Sequence, residues 1–263
     1  MNTFPVSAPS STLDLQAPAL SLKANLVPWD TELLGFAVGQ IEEMRLLQPG
    51  ASRIDLADFE AWREAQGLRM VSCRLPHGAL AEGMLLEELG FRFVEMVYPL
   101  TLEDINFRSY PPEVQLMDAT KADLDEIQEI ANAAFVTGRF NVDPRLGPEL
   151  GGRRYAGWVN NSFRDPAHRI LKACADGQIV GFFIVENKGS NEVYWHLTAI
   201  APNAQGKGMG RKVWQTMIMG HQAEGITRVR TTVSARNPAV MNLYVTLNCR
   251  FGQPQMTYHW LRP

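Results

Sequence analysis

The chain has 263 residues, 46% of them hydrophobic and 20% charged, with 21 Gly and 16 Pro, the balance of a folded protein of one large or two modest domains rather than a disordered chain. Its 25 Lys and Arg against 28 Asp and Glu leave a net charge of −3, so there is no global basic field to hold a nucleic-acid backbone or an anionic membrane surface. The three isolated cysteines (Cys73, Cys174, Cys249) and five scattered histidines show no disulfide framework and no zinc-ligand spacing; a reducing cytoplasm is the expected compartment, and no metal is expected.

In chain order, residues 1–24 begin Ser/Pro/Ala-rich, without a basic segment followed by an apolar core, and read as an extended or disordered lead-in rather than a signal peptide. The longest apolar stretches, such as 179–185, fall far short of the ~20 residues a membrane span needs, so no membrane contact is expected. Residues 25–108 alternate short apolar runs with helical patterns: strand at 36–41, helix at 56–66, strand at 69–75, helix at 79–89 stopped by Gly90, strand at 91–100. This predicts a first α/β domain. Composition turns polar at 103–113, around Pro111-Pro112, and the boundary is placed at 108/109.

Beyond it, Thr120 with Asp123 predicts a capped helix carrying Leu124, Ile127, Ile130, Ala131 and Ala134 on one face. Residues 138–152 read as loop, 153–162 as helix, and 170–175 with 179–186 as a hairpin across Asp176-Gly177. Strand 192–200, helix 209–224 and strand 226–235 form one crossover unit, so the two strands run parallel while the hairpin before them is antiparallel. A helix at 237–247 and a strand at 251–260 complete a mixed α/β sheet in a second domain, 109–263. Residues 85–93 echo residues 243–251, as though one fold occurred twice, the first copy lacking its glycine loop.

That loop, Gln205-Gly206-Lys207-Gly208-Met209-Gly210-Arg211, joins a strand to a helix. Glycines there let successive N–H groups face one point at a helix N-terminus, which attracts phosphate. It is neither a P-loop nor GxGxxG. Together with Asn237-Pro238-Ala239-Val240-Met241-Asn242-Leu243-Tyr244 it resembles the signatures of the GNAT superfamily of acyl-CoA-dependent N-acyltransferases, over about 114–251. The resemblance implies a GNAT fold with a central parallel strand pair, preceded by a smaller, degenerate GNAT-like domain. It also implies coenzyme A as co-substrate: Gln205, Gly206, Lys207, Gly208, Met209, Gly210 and Arg211 at the pyrophosphate, the backbone of Leu197, Thr198, Ala199 and Ile200 at thioester and pantetheine, and Asn237 and Tyr244 at the reacting end.

Residues 29–36 and 139–145 further resemble the subgroup of dTDP-amino-sugar N-acyltransferases, the TDP-fucosamine acetyltransferase type, which implies a nucleotide-linked amino-deoxyhexose as acceptor. One departure is Asn248-Cys249 where the family has Gly-Phe; Asn tolerates a left-handed helix end. No nucleophile is assigned, because an amine attacks a thioester directly when both are bound. Tyr244 is the candidate acid toward the leaving thiolate, and His196 and Glu192, evenly spaced on one strand, are candidate bases. Arg139 and Arg145 are candidates for the diphosphate, Trp29, Phe36, Phe140 and Trp195 for stacking, and Asp143 for a sugar hydroxyl or, equally, a turn cap. Acylation of another small-molecule or peptide amine, and a non-catalytic CoA- or nucleotide-binding module, remain open. So do the acyl chain and the oligomeric state, a homodimer being one option.

Overall fold

The structure is a computed structural model and describes residues 11–263. Its elements are β1 (Thr12–Gln16), β2 (Leu20–Leu26), α1 (Pro28–Leu34), β3 (Val38–Leu46), α2 (Ala57–Ala65), β4 (Met70–Pro76), α3 (Leu80–Glu88) and β5 (Arg92–Leu102). There follow β6 (Gln115–Asp118), α4 (Leu124–Ala134), α5 (Arg139–Val142), α6 (Pro148–Arg164), β7 (Arg169–Ala175), β8 (Gln178–Asn187), β9 (Glu192–Ile200), α7 (Met209–Ala223), β10 (Arg228–Ser234), α8 (Pro238–Thr246), β11 (Arg250–Phe251) and β12 (Gln255–Leu261). Among the described residues two compact units result, 11–94 with 255–263, and 95–254.

In the first unit β1, β2 and β3 form an antiparallel meander, and β3 runs parallel to β4 from Val38 opposite Met70 to Ile41 opposite Cys73. The expected lead-in is therefore partly wrong: alternating Leu13, Leu15, Leu20 and Leu22 give residues 12–24 a strand pattern, with Leu20 and Leu22 fully buried. The expectation for residues 1–10 lies outside the described residues. Arg63 is buried with its guanidinium 3.8 Å from the ring of Trp260, a cation–π contact that removes the charge from water without leaving it unmatched.

In the second unit β6, β7, β8 and β9 pair antiparallel, β9 and β10 run parallel from Glu192 opposite Arg228 to Trp195 opposite Thr231, and β5 pairs antiparallel with β10. The hairpin turn is as expected, Asp176 and Gly177 both having positive φ (51° and 76°). The expected loop at 138–152 instead contains α5 and the first turn of α6, which starts with Pro148 at its first position. Gly151 and Gly152 lie within this helix, and Asn141 and Asn132 occupy the space a Cβ would need there, so these glycines serve packing rather than a turn.

The expected division at 108/109 also differs from the observed one, because each unit takes a strand that follows the other's last helix. β5 follows α3, yet from Val97 to Leu102 it pairs with β10; β12 follows α8, yet over its whole length it pairs with β4. Pairing at such separation leaves no local trace in sequence.

Candidate active site

The parallel ladder between β9 and β10 stops at Trp195/Thr231, although β9 continues to Ile200 and β10 to Ser234. Just past that point β9 carries a bulge: Val185 faces Trp195 and Ile184 faces Leu197, so His196 is the extra residue. Ala201 N–H donates to Val180 at 2.9 Å, which fixes the alternation of the strand end. The N–H groups of Thr198 and Ile200 therefore point away from β8, to the side that β10 has left.

A cleft of about 570 Å³ opens there. Its walls are Thr198, Ala199 and Ile200 of β9, the glycine loop, Trp214 of α7, Asn237, Val240 and Leu243 around α8, and residues 134–137 at the end of α4. Gly206 and Gly208 hold φ of 74° and 73°, a conformation other residues adopt only with strain. Gly208 is the N-cap of α7 and supplies no side chain, so the N–H groups of Gly208, Met209, Gly210 and Arg211 have no partner within the helix. The first turn holds no acid and carries Arg211, which lines the cleft, an arrangement that favours a bound anion; Lys212, next along, is paired with Glu113 at 2.7 Å. Gln205 plays a different part: its N–H donates to Pro202, and its side-chain amide donates to the Ile200 carbonyl at 3.0 Å, tying the loop to the end of β9.

Tyr244 on α8 has its hydroxyl beside Thr198 of β9 and Thr231 of β10, in the fork where those strands part; it is 1% exposed and is not among the residues lining the cleft. Burial pushes its phenol above the ordinary value, against the opposing pull of Trp214, Thr231 and Thr198 around the oxygen; the Trp214 indole faces it without completing hydrogen-bond geometry. Asn237 caps α8, accepting from Val240 N–H at 3.1 Å. At the far end of that helix Asn248 takes φ 55°, and Cys249 N–H donates to the Tyr244 carbonyl at 3.0 Å, so the Asn-Cys departure preserves the cap. Burial lifts the Cys249 thiol to about 12, which leaves it protonated and inert.

Residues 124–248 match the Acetyltransferase (GNAT) family. The chain carries a GNAT domain. It is 29% identical over 179 residues to a dTDP-fucosamine acetyltransferase from Escherichia coli O6:H1 (strain CFT073), covering 67% of this chain and 73% of that protein. The fold is shared with a functionally unknown conserved protein from Staphylococcus epidermidis ATCC 12228 (TM-score 0.66, 12% identity, 96% of this chain and 95% of that one). It is also shared with a tandem GNAT protein from the clavulanic acid biosynthesis pathway (TM-score 0.57, 12% identity, 97% and 85%).

Within the GNAT domain the expected residues divide. Thr198, Ala199, Ile200, Gln205, Gly206, Gly208, Gly210, Arg211 and Asn237 line the cleft. Leu197 is buried beside β8, Met209 and Lys207 are not on the wall, and Lys207 folds back to the Asn203 carbonyl. Glu192 sits at the opposite end of β9, its carboxylate bonded to Arg228 and Arg230, too far along the strand to act with Thr198. Trp195 is 1% exposed, edge-on to Phe183 and donating to His221 at 3.0 Å; it is core, as strand alternation opposite His196 requires. Phe140 is equally buried, between the guanidiniums of Arg139 and Arg154. Asp143 binds the Arg145 guanidinium through both oxygens and caps its N–H, so of the two expected roles the turn is the one observed. Trp29 and Phe36 belong to the first unit.

The sequence reading missed Glu186. His196 Nε2–H donates to its carboxylate at 2.7 Å, which leaves Nδ1 as the acceptor of the neutral ring. Burial draws the imidazole below its ordinary value, against the pull of Glu186. It also missed the rings joining this pair to the cleft: Phe135, on the wall, stacks on Tyr155, Tyr155 on Trp158, and Trp158 meets His196 edge-on. Only the register of β8 on β9 and the docking of α4 on α6 create these contacts. No helix among the described residues is long and apolar enough to cross a membrane.

Proposed function

We propose that this chain transfers an acetyl or short hydroxyacyl group, such as 3-hydroxybutyryl, from acyl-CoA to the amino group of a dTDP-linked amino-deoxyhexose, by direct attack with both substrates bound. The observation that carries the reading is the cleft itself, where an uncapped helix start carrying Arg211 meets the edge of β9 that β10 has left. These residues fit coenzyme A, since the amides of residues 208–211 suit a pyrophosphate and the mostly apolar channel beside Thr198–Ile200 suits a pantetheine arm. Bound acyl-CoA supplies an activated thioester carbonyl.

The chain's own groups supply the rest. The N–H groups of Thr198 and Ile200 stand where negative charge develops on an attacked carbonyl, and one such donor in a dry site contributes about 3–4 kcal/mol. His196, oriented by Glu186, takes a proton from the attacking amine directly or through water. Tyr244 remains protonated and gives its proton to the departing sulfur. The dTDP-amino sugar is supported by the Escherichia coli relative. A second reading, another small-molecule or peptide amine as acceptor, is favoured by the engagement of Arg145 with Asp143 and of Arg139 with Phe140, since both were candidates for the diphosphate.

Incubation with acetyl-CoA and a dTDP-amino-deoxyhexose is expected to release thiol and add one acyl mass to the sugar nucleotide. Release with simple amines but not with the sugar nucleotide selects the second reading; no release with any short acyl-CoA and any amine rejects both.

A further inference from the structure

Beside the bulge of β9 the sheet assembles a cluster that acyl transfer does not need in full. His168, Glu186 and His196 each offer a ligand atom, and these atoms all lie within 4.8 Å of one another. They come from neighbouring strands of one sheet: His168 directly precedes β7, Glu186 lies on β8 and His196 on β9. Backbone ladders on both sides of β8 therefore fix their spacing before any ligand arrives, as a preorganised site requires. The side chains are 17%, 20% and 20% exposed, open enough to admit an ion and a water.

Two further features distinguish the cluster from an ordinary ion pair. His168 Nδ1 is buried and makes no hydrogen bond, and its ring meets that of His196 edge-on at 4.7 Å, so two imidazoles converge where one would satisfy Glu186. The surroundings also supply supporting groups: Asp165 Oδ2 lies 3.5 Å from His168 Nδ1, and Lys188 holds the other oxygen of Glu186, leaving Oε2 directed at His196.

We infer that His168, Glu186 and His196 form a binding site for a borderline divalent transition ion, with Zn²⁺ as the probe. Two imidazoles and one carboxylate suit such an ion, with bonds of about 2.0–2.2 Å, and three protein ligands leave one position for water. Tetrahedral ligands at those lengths stand about 3.3–3.6 Å apart, so a pair at the full 4.8 Å closes by up to about 1.5 Å, while the 2.7 Å His196–Glu186 contact opens by somewhat under about 1 Å. Occupancy takes the His196–Glu186 hydrogen bond apart, and on the acyl-transfer reading it therefore inhibits turnover. Binding itself does not depend on that reading.

The test is a Zn²⁺ titration of the full chain against a chromophoric chelator, with His168→Ala, His168→Gln and Glu186→Gln beside it and thermal melts to verify folding. One Zn²⁺ per chain, weakened at least tenfold in each folded variant, supports the site, as does a Co²⁺ ligand-field spectrum lost in His168→Gln. No stoichiometric binding, or equal affinity in all folded variants, overturns it. In the acyl-transfer assay, Zn²⁺ is expected to inhibit the unmodified chain, reversibly by chelation, and to lose that effect in His168→Ala. If no acceptor turns over, the acyl-transfer reading fails while the titration still decides the metal site.

Discussion

Apart from α1, the two units share one run of elements, strand–strand–helix–strand–helix, with different endings. In each, an antiparallel strand leads into a parallel pair, β3 with β4 and β9 with β10, joined through a helix and followed by a second helix, α3 or α8. Even the hydrogen bonds ending those helices correspond: Leu89 to Leu85, Gly90 to Glu87 and Phe91 to Leu86 in one, Leu247 to Leu243, Asn248 to Val245 and Cys249 to Tyr244 in the other. The difference lies in what is left unsatisfied. Before α2, Ser52 and Asp55 cap the chain with each other's backbone, whereas before α7 two glycines leave the amides bare. Where Tyr244 enters the fork with polar neighbours, the matching position is Leu86, fully buried. At these two places the first copy closes on itself with a capping pair and an apolar side chain, whereas the second has bare amides and a buried phenol, which on the proposed reading meet a ligand.

That contrast can be broken most severely at Tyr244. Tyr244→Phe is expected to lower kcat by about 10²–10⁴ with little change in acyl-CoA affinity, whereas an unchanged rate makes Tyr244 the packing equivalent of Leu86. Next comes Gly208→Val, which cannot hold a positive φ without strain and covers the amides; calorimetry is expected to show roughly tenfold or greater loss of CoA affinity in a folded protein. The corresponding helix ends give a smaller effect. Gly90→Ala, at φ 88°, is expected to cost about 1–2 kcal/mol by denaturant midpoint, and Asn248→Gly to be neutral or stabilising. A destabilised Asn248→Gly separates the two caps.

The smallest effect concerns pH. Lys172, with the Thr120 backbone, holds the Asp123 carboxyl at about 2. A lowered folded-state value stabilises above the unfolded value near 4, and that contribution is lost as pH falls through about 2. Denaturant midpoints are expected to decline between pH 4 and 2, with a shallower decline for Asp123→Asn.

Much of this was legible wherever a short segment specifies its own backbone: the Asp176-Gly177 turn, the Thr120–Asp123 cap, the glycine loop and the helix of Tyr244. Illegible were features made by register and docking. Glu186 meets His196 only through the β8–β9 pairing, and the Phe135–Tyr155–Trp158 stack needs two helices packed together. Trp195 was misassigned although a signal existed, since alternation along β9 already placed it opposite His196.

The exchanged strands have a consequence during synthesis. Arg74 and its partner Thr257 are 183 residues apart, so at typical elongation rates the nascent first unit spends on the order of ten to forty seconds with one edge of β4 open. Such an edge can recruit a strand from a neighbouring polypeptide on the same polysome. The first unit is thus completed only by a strand translated after the whole of the second.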